Sequence, residues 1–232
     1  SLLLNRLWLR LRGLRFSKTP IQDLPVNKLI QVDACWDAAH GLGLVLSLVG
    51  LGALCSAGTT RSVGAMIVCL VYGLSLVQLF AVSTLYHYQP TSHAKSRLRI
   101  LDHCAIYILI AGSYTPFMVL SLGGWKGWSL LIGVWLLAAF GIRYKLVHPN
   151  PFGVWSVVLY LAMGWAILLV LPSLFAVLPA GAQFWLVAGG AAYTLGVPFY
   201  AWQSLRYSHG IWHLFVLLGA AFHYLAVLFY VL

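Results

Sequence analysis

Hydrophobic residues run through this chain in stretches too long for strands and too continuous for the core-facing stripe of a soluble helix. A bilayer core takes roughly 20 apolar residues per helix, and seven such runs occupy residues 38–57, 63–88, 100–122, 128–142, 152–171, 183–202 and 208–232. The fourth is the shortest. Short connections carry turn residues, among them Gly123-Gly124, His148-Pro149-Asn150-Pro151 and Pro179-Ala180-Gly181, which suits antiparallel neighbours. No linker is long enough to set off a second domain. The pattern predicts an all-α membrane protein, a seven-transmembrane helix bundle over residues 35–232, preceded at 1–34 by a basic amphipathic segment at the cytoplasmic interface.

Composition agrees. The chain is 62% hydrophobic and only 8% charged, with a mean hydropathy of +0.90, whereas soluble domains carry about a quarter charged residues. Fourteen Lys and Arg stand against four acids, none of them Glu, giving a net charge of +10. With this hydropathy the basic excess points to an anionic membrane surface and not to nucleic acid. Cys35, Cys55, Cys69 and Cys104 form no CxxC pair, and Cys residues inside apolar runs pack as small hydrophobes, which argues against a disulfide framework. Residues 1–16 alternate Leu and Trp with Arg6, Arg10, Arg12 and Arg15. That is too charged for a signal-peptide core and fits an interfacial helix; an Arg-rich, acid-free start also suits a transit peptide.

Basic residues set the orientation. Six lie before the first span, three (Lys95, Arg97, Arg99) between the second and third, two (Arg143, Lys145) between the fourth and fifth, and Arg206 between the sixth and seventh. Only Arg61 and Lys126 lie in the opposite loops. The positive-inside rule then places the N-terminus in the cytoplasm and the C-terminus outside. Gly41, Gly43, Gly50, Gly52, Gly189 and Gly190 are expected to let helix backbones approach closely.

This orientation brings polar residues distant in sequence to one depth. Ser83 and His87 close the second span, Asp102 and His103 open the third, and Ser208, His209 and His213 open the seventh, all at the cytoplasmic end. His209 and His213, four apart, share one helix face, as two imidazoles on a single metal require. A third imidazole, from His87, leaves a tetrahedral position for water, the pattern of a catalytic zinc site, with Asp102 placed to hold or deprotonate that water. The same residues also suit a structural polar network of interfacial histidines, although ionisable groups within a membrane are costly and mark functional sites by default.

Three stretches carry a resemblance: Ser83-Thr84-Leu85-Tyr86-His87; Leu101-Asp102-His103-Cys104-Ala105-Ile106-Tyr107 with Ala111-Gly112-Ser113-Tyr114-Thr115-Pro116-Phe117; and His209-Gly210-Ile211-Trp212-His213-Leu214-Phe215-Val216. The sequence resembles the hemolysin III family, the bacterial branch of the progestin and adipoQ receptors, which is related to the alkaline ceramidases. The resemblance implies zinc (Zn2+) bound by His87, His209 and His213, with Asp102 beside the activated water and Ser83 as a polar neighbour assisting substrate. Two departures stand out. Gly210 occupies the place after His209 where the family usually has Glu. In the first span His40 matches the family's histidine, while Asp33 replaces Glu and Trp36 and Ala39 replace Asn and Thr. Asp33, Asp37 and His40 are therefore read as structural or interfacial.

His103, about 100° round the helix from Asp102, is expected to face another groove. His223 lies ten residues beyond His213, roughly 15 Å deeper, and is expected to be a hydrogen-bonded bundle histidine. Cys104 is expected to be a free buried thiol. The resulting expectation is a zinc-dependent hydrolase of the bacterial cytoplasmic membrane, with Asp102 and Ser83 as catalytic groups and a lipid amide or ester, ceramide-like, as substrate. Its partners are membrane lipids. A receptor or sensor with a structural zinc is the alternative, and a lytic protein a third; polar residues gathered at one end argue against an open pore.

Overall fold

A computed structural model describes residues 26–90, 93–148, 153–202, 204–205 and 207–232, with side chains from residue 40 onward. Of the interfacial segment expected over residues 1–34, residues 1–25 lie outside the described residues and residues 26–34 run into the first helix; the side chains of Asp33, Cys35 and Asp37 also lie outside the described residues. The described residues form helices and no strand. They are α1 (Val26–Arg61), α2 (Val63–Tyr88), α3 (His93–Pro116), α4 (Gly124–Val147), α5 (Val154–Trp165), α6 (Leu171–Val177), α7 (Ala180–Ala201) and α8 (Ser208–Ala226). Six helices are long and apolar enough to cross a membrane, and a bent pair comprising α5 and α6 makes the seventh crossing when counted as one span.

Polarity is turned outside in. Val49, Phe140 and Leu169 are exposed, whereas Ser75, Ser83, Asp102, His103, Lys145 and Ser156 are buried. Lipid solvates the apolar faces, so polar side chains find partners only inside the bundle. Each of α2, α3 and α4 packs on the helix before it, α7 packs on α8, and α8 returns to α1, closing a ring.

Breaks in the helices have local causes. Pro116 cannot donate to the helix ladder, and α3 continues as a π-helical stretch over Phe117–Leu122, closed by a bond from Gly123 N–H to Met118 C=O of 2.9 Å. Gly123 and Gly124 take φ of 59° and 55°, a left-handed region open to glycine, and turn the chain into α4. That helix has 24 residues, longer than its apolar run predicts, because the helix extends past the run into polar residues at both ends. The fifth span is where the structure departs most from expectation. It is not a straight helix over 152–171: α5 tightens into a 3-10 stretch at Ala166–Leu169, and α6 restarts with Pro172 in its first turn, bent by 59°.

Glycines divide into two groups. A Cβ at Gly43, Gly50 or Gly189 would press on Phe80, Tyr224 or His223, while one at Gly41, Gly52 or Gly190 would meet open space. Half of the predicted packing glycines therefore lie at close helix approaches. The tightest contacts also involve glycines without a predicted role, such as Gly112 of α3 against the Ser75 side chain of α2.

Candidate metal centre

Four imidazoles from three helices meet at one end of the bundle. His87 comes from the last turn of α2, and His209 and His213 from the first turns of α8. Their spacing of four stacks them on one face, and their Nε2 atoms lie 2.8 Å apart. The His87 ring centre is 5.4 Å from that of His209 and 5.3 Å from that of His213. The fourth imidazole, His40 of α1, stacks on His87 at 5.1 Å and meets His213 edge-on at 4.0 Å. One ring nitrogen from each of His40, His87 and His213 lies within 4.8 Å of the others. His40 is 4% exposed, and neither of its ring nitrogens has a hydrogen-bond partner among the described residues.

Carboxylate and hydroxyl groups adjoin this cluster. Asp102, in the third turn of α3, is buried and hydrogen-bonded by the Ser83 hydroxyl from one turn before His87. His103 Nδ1–H donates to Arg99 C=O at 2.9 Å, which leaves Nε2 to accept from the Tyr200 hydroxyl at 3.3 Å. Its Nδ1 is 3.9 Å from Asp102 Oδ2. The Tyr160 hydroxyl donates to the His103 carbonyl at 2.8 Å, tying α5 to α3 beside the site.

A cavity of about 390 Å³ begins at these groups and continues into the bundle. His40, Ser83, Asp102, His209 and His213 line its polar end, and Ile110, Phe117, Ile167, Leu171, Leu186 and Val216 are among the apolar residues of its wall. Its volume falls in the range of small-molecule pockets. It is a slot with one polar end and a long hydrocarbon wall.

The structure thus brings together His87, His209, His213, Asp102 and Ser83. It also brings in His40, which sequence reasoning assigned a structural or interfacial role. A signal for it existed, since His40 opens its span at the same end as the others, but the departures around it diluted the match. His103 corrects another expectation: it lines the same cavity as Asp102, because the cavity wraps far enough round α3 to touch side chains 100° apart. Both of its ring nitrogens are engaged, however, and it stays out of the convergent group. His223 donates from Nε2 to Leu186 C=O at 3.2 Å, as a bundle histidine should, and Cys104 is a free buried thiol.

Neutral imidazole nitrogen is a preferred zinc donor at about 2.0–2.1 Å, and the buried His40 nitrogens, without partners among the described residues, are of the kind a bound cation satisfies. The convergent nitrogens fit zinc.

Comparison with known proteins agrees in extent. The family model for haemolysin-III-related proteins matches residues 37–224. The chain is 41% identical over 194 residues to Hemolysin-3 of Bacillus cereus, covering 83% of this chain and 89% of that one. It is 39% identical over 192 residues to the Hemolysin-3 homolog of Bacillus subtilis (strain 168), with 82% and 90% covered. With the human Monocyte to macrophage differentiation factor it shares 37% identity over 165 residues, covering 68% of this chain and 67% of the relative. No solved structure matches the chain. A multi-pass helical bundle and a family match that runs from α1 into α8 lead to one conclusion: this chain belongs to the haemolysin-III-related family of membrane proteins, within the progestin and adipoQ receptor group.

Proposed function

We propose that the protein is a zinc-dependent hydrolase of a lipid amide or ester, ceramide-like in class, in the bacterial cytoplasmic membrane. The observation that carries this reading is the continuity of the cavity, which joins imidazoles, a carboxylate and a hydroxyl at one end to an apolar slot within the bundle. A lipid in that slot would rest its hydrocarbon chain along Phe117, Ile167 and Val216 and present its polar linkage to Asp102 and Ser83.

The cluster of His40, His87, His209 and His213 would hold the ion. A bound zinc supplies Lewis acidity and makes water nucleophilic near neutral pH. Asp102 is placed to take a proton from water and return it to the leaving amine or alcohol, the work of a general base and acid. Ser83 donates to Asp102 and so orients the carboxylate. His103 is fixed by Arg99 C=O and Tyr200, with its Nδ1 3.9 Å from Asp102 Oδ2. The low-dielectric wall of the slot excludes bulk water and strengthens these contacts.

Two readings compete. A saturated set of four imidazoles would suit a structural zinc in a receptor or sensor, since structural zinc sites are closed by four protein ligands. The relatives named for haemolysis suggest lysis, but the apolar wall gives little support to an aqueous pore; lysis through altered lipids is compatible with a hydrolase. The basic loops support a cytoplasmic position for the site.

The test is zinc per chain and hydrolysis of a ceramide panel, measured on detergent-purified protein and on Asp102→Asn. About one zinc in both forms, with turnover only in the parent, supports the reading. Zinc without turnover on any lipid amide or ester favours the structural alternative, and a chain that takes up no zinc overturns the metal reading.

A further inference from the structure

We infer that the slot measures the hydrocarbon chain of its lipid, admitting about 16–18 carbons, and that Gly190 of α7 keeps it open to that depth. The inference rests on the lipid-hydrolase reading above and adds the chain length of the substrate and a residue that sets it.

The slot has a floor. Among the described residues its lining ends on the outer side at Phe117 after α3, Leu171 of α6, Leu186 of α7 and His223 of α8. His223 is held there: Nε2 donates to Leu186 C=O at 3.2 Å, and the ring centre lies 6.4 Å from that of Phe117. Tyr200 marks the polar end, since its hydroxyl bonds His103 next to Asp102. Fourteen residues separate Tyr200 from Leu186 on α7, which is about 21 Å of helix. Fifteen separate Asp102 from Phe117, about 22 Å. An extended hydrocarbon chain advances about 1.25 Å per carbon, from bonds of about 1.5 Å at near-tetrahedral angles. The distance from polar end to floor therefore matches about 16–18 carbons.

Hydroxyl groups in the wall do not interrupt it. Ser113 donates to Ile110 C=O at 2.8 Å, and Thr194 to Gly190 C=O at 2.8 Å. Tyr114 is directed to the carbonyls of Met163 and Gly164. No hydroxyl hydrogen of these three is left for a ligand, so the wall suits hydrocarbon.

Gly190 stands apart from the packing glycines. A Cβ on its neighbour Gly189 would press on His223, whereas one on Gly190 has no atom within 4 Å. Gly190 lines the slot, as do Leu186, four residues before it, and Val197, seven after it; that spacing puts the three on one helix face. Phe184 and Leu195, 63% and 60% exposed, lie about 120–140° round the helix from Gly190 and face lipid. The open space over Gly190 is therefore slot and not bilayer. Glycine weakens a helix interior, and here it gives a ligand close approach to the backbone. Ten residues separate it from Tyr200, about 15 Å, so a side chain at this position crosses the path of any chain longer than about 12 carbons.

The test uses straight-chain 1-alkanols of about 8 to 20 carbons, a span that brackets the slot. They carry a chain and one hydroxyl, need no zinc and cannot be hydrolysed. The full chain in detergent is equilibrated with an equimolar mixture and separated from free micelles, and the bound alkanols are compared with micelle composition by mass spectrometry. The parent should be enriched in about 16–18 carbons. Gly190→Phe should move the maximum down to about 12, and Phe117→Ala should move it up by about 2–4. Leu195→Phe, which adds bulk on the lipid side of the same helix, should match the parent. The two shifts run in opposite directions, so a loss of fold in one variant leaves the other to decide. A parent whose bound alkanols follow the micelles, or a maximum unmoved in both variants, overturns the inference; zinc binding and ceramide turnover beside that result leave the hydrolase reading standing. A chain-length maximum that shifts as expected in a protein with neither zinc nor turnover supports the measured slot and overturns the hydrolase reading alone.

Discussion

The Tyr114 hydroxyl of α3 lies 2.8 Å from the Ile167 amide nitrogen and accepts its proton. The same oxygen lies 2.7 Å from the Met163 carbonyl and 2.9 Å from the Gly164 carbonyl. One side chain thus serves backbone groups freed where α5 tightens and bends. Lipid cannot supply those bonds, so a broken helix within a membrane needs a neighbour that does. Gly164 and Ile167 also line the cavity, so this contact shapes the slot as well as holding the break.

Replacing Tyr114 with Phe should therefore destabilise the protein by about 1–3 kcal/mol, the range for leaving buried polar groups unpaired. Thermal unfolding in detergent should show a lower midpoint, with zinc per chain unchanged. An unaltered midpoint would mean that water or another group takes over the contact.

Metal content should separate histidines by depth. His87→Ala should lose zinc, while His223→Ala, whose ring is anchored to Leu186 C=O, should keep it. Elemental analysis of purified protein checks this, and equal loss in both would remove the basis for a single site at one end.

Removing zinc with a chelator should lower the unfolding midpoint of the parent, and adding zinc back should restore it. A ligand that binds only the folded state at a thousand times its Kd stabilises by about 4 kcal/mol. The same treatment should leave His87→Ala unmoved.

Asp102→Asn keeps the shape of the side chain and removes its capacity to accept a proton as a base. Hydrolysis should fall by about 10²–10⁴-fold, the usual share of general acid–base catalysis, while zinc remains bound. Loss of zinc together with activity would recast Asp102 as part of the metal-binding apparatus.

Helix packing offers an internal comparison. Gly112→Ala drives a Cβ into Ser75 and should cost about 1–3 kcal/mol. Gly133→Ala meets open space and should be neutral or stabilising by up to about 1 kcal/mol. Unfolding midpoints of the two variants check the contrast.

Much of this molecule is legible along the chain, for a physical reason. Hydrocarbon solvent demands long apolar runs and internally satisfied backbones, so the spans at 63–88 and 208–232 can be read from composition alone. The meeting of His87 with His209 and His213 follows from counting helix reversals. Side-chain spacing within one helix likewise gives the His209–His213 pair, because helical geometry is local.

The rest depends on contacts between segments that composition does not rank. The fifth span reads as one apolar run, and its bend between Trp165 and Leu171 is accommodated by Tyr114, some fifty residues earlier, whose hydroxyl bonds the Gly164 carbonyl and the Ile167 amide. His103 shares a cavity with Asp102 because the cavity reaches round both sides of α3 at that depth. Whether His40 serves the bilayer interface or the imidazole cluster turns on the packing of α1 against α2 and α8. Which residues lie at that depth is legible along the chain, since depth follows from chain length; only tertiary packing decided which of them face one another, since that follows from how each helix is rotated about its axis.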